Sequence, residues 1–151
     1  MRRSTAAEPE CLFVDTWGWL VLADSGDPSH EAVAGMRRRY RGQGSLVTSD
    51  YVLGETFTRL FSRCPFRQAR SFCMAIFQAQ SNGLVAIEHI TLKRFMEAWR
   101  LRLKYHDKPK VSFTDLTSFV VMKELRIRRV LTADAHFEHA QMGFELQPGT
   151  V

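Results

Sequence analysis

The stretch at residues 111–137, VSFTDLTSFVVMKELRIRRVLTADAHF, decides how this chain is read. Ser112 is followed three residues later by Asp115 and then by an apolar run, which predicts a capped helix beginning near Thr114. On a helical wheel Asp115 shares a side with Phe119 and Met122, while Leu116, Val120, Val121 and Leu125 take up most of the rest. The helix is therefore expected to be buried nearly all round. Residues 128–132 read as a short strand that exits into a turn at Ala133 and Asp134, followed by a short helix over 136–141. Each acid has an ordinary explanation: Asp115 as a capping-box acid in the field of the helix N-terminus, Asp134 or Thr132 as a cap for the short helix.

A third acid stands in a matching place at the front of the chain. Residues 11–14 form an apolar run too short for a helix and read as a buried strand with Asp15 at its carboxyl end. Between these two ends, strand and helix signals alternate. A helix over 16–23 is followed by a loop at 24–29 with Gly26 and Pro28, a helix over 30–41 and a strand at 46–48. A further helix, capped by Thr48, Ser49 or Asp50, runs to Arg63, where Cys64 and Pro65 stop it. Helices over 66–80 and from Thr91 to Tyr105 flank a strand at 84–87, and 143–146 offers a last edge strand. Short strands alternating with longer helices predict a three-layer α/β/α domain whose central, mostly parallel sheet has four or five strands. In such sheets ligands bind beyond the carboxyl ends of the strands, where strand order reverses. Asp15 and Asp134 follow strands and Asp115 opens a helix, so all three are expected to face one crevice.

Carboxylates within ~5 Å repel by roughly 3 kcal/mol per ionised pair at an effective dielectric of ~20, so a cluster needs a counter-charge. Mg²⁺ or Mn²⁺ suits oxygen ligands and keeps positions open for a phosphate oxygen and an activated water, the requirements of phosphodiester hydrolysis. A fourth acid, Glu55, lies in the helix after the second strand. Its neighbours Tyr51, Thr58 and Ser62 oppose a stripe of Leu53, Phe57, Leu60 and Phe61, so pattern alone reads it as solvated.

The net charge of +5 in 151 residues is compatible with a polyanionic partner, and 45% hydrophobic content is enough for one domain with a core. The expected division is a loose tail at 1–10, a domain at 11–147 and a short tail at 148–151. Cys11, Cys64 and Cys73 have no metal-ligand spacing and suit reduced thiols in the cytoplasm. The apolar run at 12–23 is too short for a membrane span and contains Asp15. Glu8, Pro9 and Glu10 break a signal-peptide pattern despite Arg2 and Arg3, so a cytoplasmic protein without membrane attachment is expected.

In order and spacing, FVDT with Asp15, TSDYVLGETFTRL with Glu55, SFTD with Asp115 and LTADAHF with Asp134 resemble the acid pattern of the PIN-domain ribonucleases. In particular they look like the VapC-type toxins of VapBC toxin–antitoxin pairs. The resemblance runs from Leu12 through almost the whole chain. It implies a sheet ordered 3-2-1-4-5 and a metal-dependent endoribonuclease that acts on RNA, usually as a homodimer and often inhibited by a small antitoxin. It also raises Glu55 from a solvated residue to a functional one. Asp15, Asp115 and Asp134 are then the expected ligands of Mg²⁺ or Mn²⁺, with Glu55 a further ligand or the acid that orients water. Thr16, Ser112, Thr114 and Thr132 are expected to steady these carboxylates by hydrogen bonds.

Arg59, Arg63, Lys108, Lys110 and His136 are candidate RNA contacts, although charges on solvated helix faces are the plainer explanation of each. Trp17, Trp19 and Trp99 read as core rather than as stacking platforms. A zinc pair of His136 and His139 lacks companion ligands, and an aspartyl-phosphate phosphatase would need an acid where Trp17 stands. The alternatives retained are a housekeeping ribonuclease of the same fold and a non-catalytic RNA-binding module.

Overall fold

The computed structural model describes residues 10–42, 44–140 and 142–149. Most of the tail expected at 1–10, and Thr150 and Val151 of the tail expected at 148–151, lie outside the described residues. Gln141 of the short helix expected over 136–141 and Gln43 lie outside them too.

The chain runs β1 (Leu12–Val14), α1 (Thr16–Ala23), α2 (His30–Arg39), β2 (Leu46–Ser49), α3 (Asp50–Arg63), α4 (Phe66–Ser81) and β3 (Val85–Glu88). It continues with α5 (Leu92–Lys104), α6 (Phe113–Glu124), β4 (Arg129–Leu131), α7 (His136–His139) and β5 (Glu145–Gln147). The strands form one sheet in the order β3-β2-β1-β4-β5, with every neighbouring pair parallel. β1 is therefore central, and the chain reverses direction across the sheet on either side of it. The expected order holds, with five strands. The 143–146 reading starts two residues early and ends one early, since β5 starts only after Gly143 has turned the chain at φ 78°.

Leu12, Phe13 and Val14 are all 0% exposed. Successive strand side chains point to opposite faces, so complete burial of three in a row requires that both faces of the sheet be covered. α5 packs on α6, and α1 packs on both α2 and α3. α1 comes so close to β4 that a Cβ on Gly18 would stand 2.9 Å from the Leu131 carbonyl oxygen. Only glycine fits this crossing, and it brings Asp15 and Thr16 up against the end of β4.

α6 is buried from Asp115 through Met122, as the wheel predicts, but Leu125, counted among the covered positions, is the C-cap and is 40% exposed. Phe119 then meets Phe137 edge to face, with centroids 5.0 Å apart, and Phe144 at 5.6 Å. Phe137 is 0% exposed, and burying a phenylalanine stabilises by roughly 2–3 kcal/mol. That anchor seats the four-residue α7, too short to hold itself, on α6 and fixes where its neighbours Asp134 and His136 project.

Two apolar readings change. Trp99 is 46% exposed rather than in the core, while Trp19 is buried and its indole N–H donates to the Thr48 hydroxyl at 3.1 Å. The buried side of α3 runs through Val52, Leu53, Thr56 and Leu60, leaving Phe61 exposed. No helix among the described residues is long and apolar enough to cross a membrane.

Candidate metal centre

Three chain segments deliver acids to the carboxyl edge of the sheet. Asp15 leaves β1 in extended backbone and is 6% exposed. Asp115 is the third residue of α6 and is 7% exposed. Its carboxylate accepts from the Ser112 backbone N–H at 3.1 Å, and its own N–H donates to the Ser112 hydroxyl at 3.0 Å. This reciprocal capping box is the ordinary role foreseen for Asp115, and it also aims the carboxylate back over the start of the helix. Asp134, past β4, accepts from the His136 backbone N–H at 2.9 Å.

Thr132 joins two of the three. Its hydroxyl donates to Asp15 Oδ2 at 2.9 Å and accepts from the Asp134 N–H at 3.0 Å. Being 3% exposed at the end of β4, it is a rigid clip between the first and last acids of the chain. Ser112 holds Asp115 as described. The Thr16 hydroxyl is buried without a partner, although the Thr16 backbone hydrogen bond favours the charged form of Asp15. Thr114 departs from expectation: its carbonyl accepts from the Thr117 hydroxyl, and its side chain makes no hydrogen bond to a carboxylate among the described residues.

Among the described residues, the ligand atoms that approach within 4.8 Å of one another belong to Asp115, Asp134 and His136. His136 Nδ1 lies 3.0 Å from Asp134 Oδ1 and 3.7 Å from Asp115 Oδ2. It is buried, yet it is not aligned for a hydrogen bond with either. A buried imidazole nitrogen between two carboxylates, with no hydrogen bond of its own, is a donor set that fits a divalent cation. Sequence reasoning placed His136 near the crevice as a phosphate contact and did not foresee it among the acids.

Glu55 and Asp15 stand outside that tight group. Glu55 Oε1 is 2.6 Å from Arg59 Nη2, one helical turn on, and its side chain is 32% exposed. Arg63 and Lys110 are exposed, and Lys108 pairs loosely with Asp107 at 3.6 Å. His139 is not in that group and lines a pocket with Lys104, Tyr105 and Lys108, so the two histidines are not brought together on one metal position among the described residues.

The electrostatics are those of crowded acids. Burial raises the Asp15 carboxyl to about 7, and the charges of Asp115 and Asp134 push the same way. The Thr16 and Thr132 hydrogen bonds oppose this only in part. Asp115 is also raised, first by burial and further by Asp134, against the Ser112 hydrogen bonds and His136. Such a cluster carries unneutralised negative charge whenever it ionises, and a divalent cation is the counter-charge that it fits.

A model of the PIN domain matches residues 12–141. The chain is 35% identical over 139 residues to the 23S rRNA-specific endonuclease VapC20 of Mycobacterium tuberculosis, in strains CDC 1551 / Oshkosh and ATCC 25618 / H37Rv. In each case the match covers 91% of this chain and 98% of the relative. The crystal structure of M. tuberculosis VapC20, described as a sarcin-ricin loop cleaving toxin, is similar with a TM-score of 0.73 and 34% identity. It covers 86% of this chain and 95% of that one. VapBC2 of Rickettsia felis, bound to a DNA fragment from its promoter, shares the fold with a TM-score of 0.69 at 14% identity. There the cover is 91% of this chain and 97% of that one.

Proposed function

The chain belongs to the PIN-domain family, and on that premise we propose that it is a divalent-metal-dependent endoribonuclease, the toxin of a toxin–antitoxin pair. The observation that carries the reading is the convergence of Asp115, Asp134 and His136 beside the buried Asp15 at the carboxyl edge of the sheet. Its 35% identity to a 23S rRNA-specific endonuclease over nearly the whole chain supports ribosomal RNA as the substrate class. The nuclease domain is assigned to residues 11–147 and the protein to the cytoplasm, where that RNA is found.

Asp15, Asp115 and Asp134 are assigned as metal ligands together with His136, and the imidazole in the set suits Mn²⁺ at least as well as Mg²⁺. A bound cation supplies Lewis acidity to a phosphate oxygen and lowers the pKa of a bound water. Thr132 and Ser112 hold the carboxylates in position for it. Glu55 is assigned as the further acid that binds at the cation or orients the attacking water, with Arg59 free to turn from it toward an RNA phosphate. Arg63, Lys108 and Lys110 extend the RNA contacts.

A homodimer and a small antitoxin are the expected partners. Leu92, Met96, Trp99 and Leu103 lie exposed at helical spacing on α5, an apolar face of the kind that protein partners cover. An antitoxin arginine forked onto two of the acids would compete with the metal.

The test is cleavage of ribosomal RNA by purified protein with Mg²⁺ or Mn²⁺, with a chelator, and beside the protein of the neighbouring reading frame. Metal-dependent cutting silenced by that neighbour is expected. Cutting with no growth arrest and no copurifying partner points to a housekeeping ribonuclease, and no cutting in any metal overturns the nuclease assignment.

A further inference from the structure

The turn between α5 and α6 builds a second pocket, distinct from the acid cluster and of opposite charge. A cavity of about 430 Å³ is lined by Lys104, Tyr105, Lys108, His139, Ala140 and Met142. Both ammonium groups gather on one ring, Lys104 Nζ at 5.4 Å and Lys108 Nζ at 5.6 Å from the Tyr105 centroid. No carboxylate lines the pocket among the described residues. Asp107 meets Lys108 only at 3.6 Å and across exposed surface, where such pairs contribute little. Cationic side chains that share a pocket with no carboxylate in its lining favour an anion there.

The pocket is held open rather than left to chance. Arg102 donates to the carbonyls of Val111 at 2.6 Å, Tyr105 at 2.6 Å and Lys108 at 2.8 Å, so one guanidinium pins the whole turn. The Tyr105 hydroxyl donates to the Ala140 carbonyl at 2.9 Å and ties that turn to the end of α7. The same two elements build the acid cluster. The turn leads into Ser112 and Asp115, and α7 presents His136 to the acids and His139 to the pocket.

We propose that Lys104, Lys108 and His139 form a subsite for a backbone phosphate of the RNA next to the bond that is cut, in the pocket that Arg102 shapes. The subsite rests on the nuclease reading above. It places the strand across α7, with its scissile phosphate at the acids and a neighbouring phosphate among the lysines.

The probe is a short single-stranded RNA cut in Mg²⁺ or Mn²⁺, together with versions carrying one uncharged methylphosphonate at successive positions. In the double variant Lys104→Gln/Lys108→Gln, KM is expected to rise about tenfold with kcat changed far less. The slope of log(kcat/KM) against log salt should become shallower by about 0.7, the share of one phosphate on a single strand. Lys104→Arg/Lys108→Arg should restore both values. One methylphosphonate position should weaken wild type as the double variant does, and add nothing to that variant. A double variant with wild-type KM and salt slope, in a protein that cuts RNA, overturns the subsite alone. A wild-type protein that does not cut RNA overturns the nuclease reading and the subsite with it.

Discussion

The two ends of the sheet treat charge in opposite ways. At the amino edge, Arg129 is matched by its neighbours: Glu10 at 2.8 Å, the Tyr40 hydroxyl at 3.2 Å and Glu145 at 3.5 Å. At the carboxyl end of β3, Arg94 is likewise held by Glu88 and Glu124, each at 2.9 Å, so the contrast lies with the acid cluster and not with every charge at that edge. At the carboxyl edge Asp15, Asp115 and Asp134 face one another, with hydroxyls, backbone N–H groups and one imidazole, but no lysine or arginine ion pair among the described residues. Where the chain supplies its own counter-charge, the charges need only fold. Where it withholds one, the counter-charge comes from outside, and the site is organised for a ligand.

The largest effect should come from removing one unmatched charge. Asp115→Asn or Asp15→Asn is expected to lower metal-dependent RNA cleavage by roughly a thousandfold, about 4 kcal/mol in barrier, with little change in RNA affinity. Arg129→Gln at the matched end should leave cleavage at wild-type level. Equal losses in single-turnover assays of the two ends would erase the contrast between them.

Next in size is a pH effect confined to the unmatched end. The Asp15 carboxyl is raised from 3.8 to about 7 in the folded protein, so the native state binds its proton more tightly than the unfolded chain. Its contribution is fully present below about pH 4 and is lost as pH rises through about 7, an order-of-magnitude change of 4 kcal/mol. Metal-free protein should therefore lose stability between pH 4 and 7 in urea titrations, and Mn²⁺ should flatten that loss. Asp15→Asn should reduce it and leave the part that the raised Asp115 contributes, and a slope unchanged in Asp15→Asn would mean that Asp15 is not its source.

Gly18→Ala sharpens the comparison by moving the acids without touching their charge. The added methyl collides with the Leu131 backbone and should cost about 1–3 kcal/mol of stability. Cleavage should suffer more than stability alone explains, because Asp15 and Thr132 would be pushed apart. A Gly18→Ala protein that melts at the wild-type temperature would mean that α1 can shift freely on β4.

The smallest effect is on melting without metal. Asp134→Asn should raise Tm by a degree or two in chelator by relieving repulsion, and should blunt the further rise that Mg²⁺ or Mn²⁺ gives wild type. Indifference to both changes in calorimetry would mean that Asp134 does not share the charge of its neighbours.

Much of this was legible in residues close together in sequence. Ser112 and Asp115 are three apart, so a capping box can be read from spacing, and the apolar run behind them announces a buried helix. FVDT and LTADAHF each put an acid just past an apolar strand. Residues 16–23 and 30–39 read as helices to within two residues, because Gly26 and Pro28 mark the loop between them locally.

What escaped depends on parts of the chain that meet only on folding. His136 looks like any helix-start histidine until Phe137 docks on Phe119 and carries it between Asp115 and Asp134. Gly18 looks like a weak point in a helix until Leu131 is seen against it, and Arg102 like a solvated charge until three carbonyls of one turn close on its guanidinium. Thr114 and Thr132 are equally plausible supports by sequence, and only the approach of β1 to β4 makes Thr132 the clip for Asp15. The sequence by itself determined the alternation of elements, the strand ends and the acids placed there, since period and capping act within a few residues. Tertiary structure alone decided which side chains converge, which charges stay unmatched and where a cationic pocket opens, because those distances are set by packing between elements far apart in the chain.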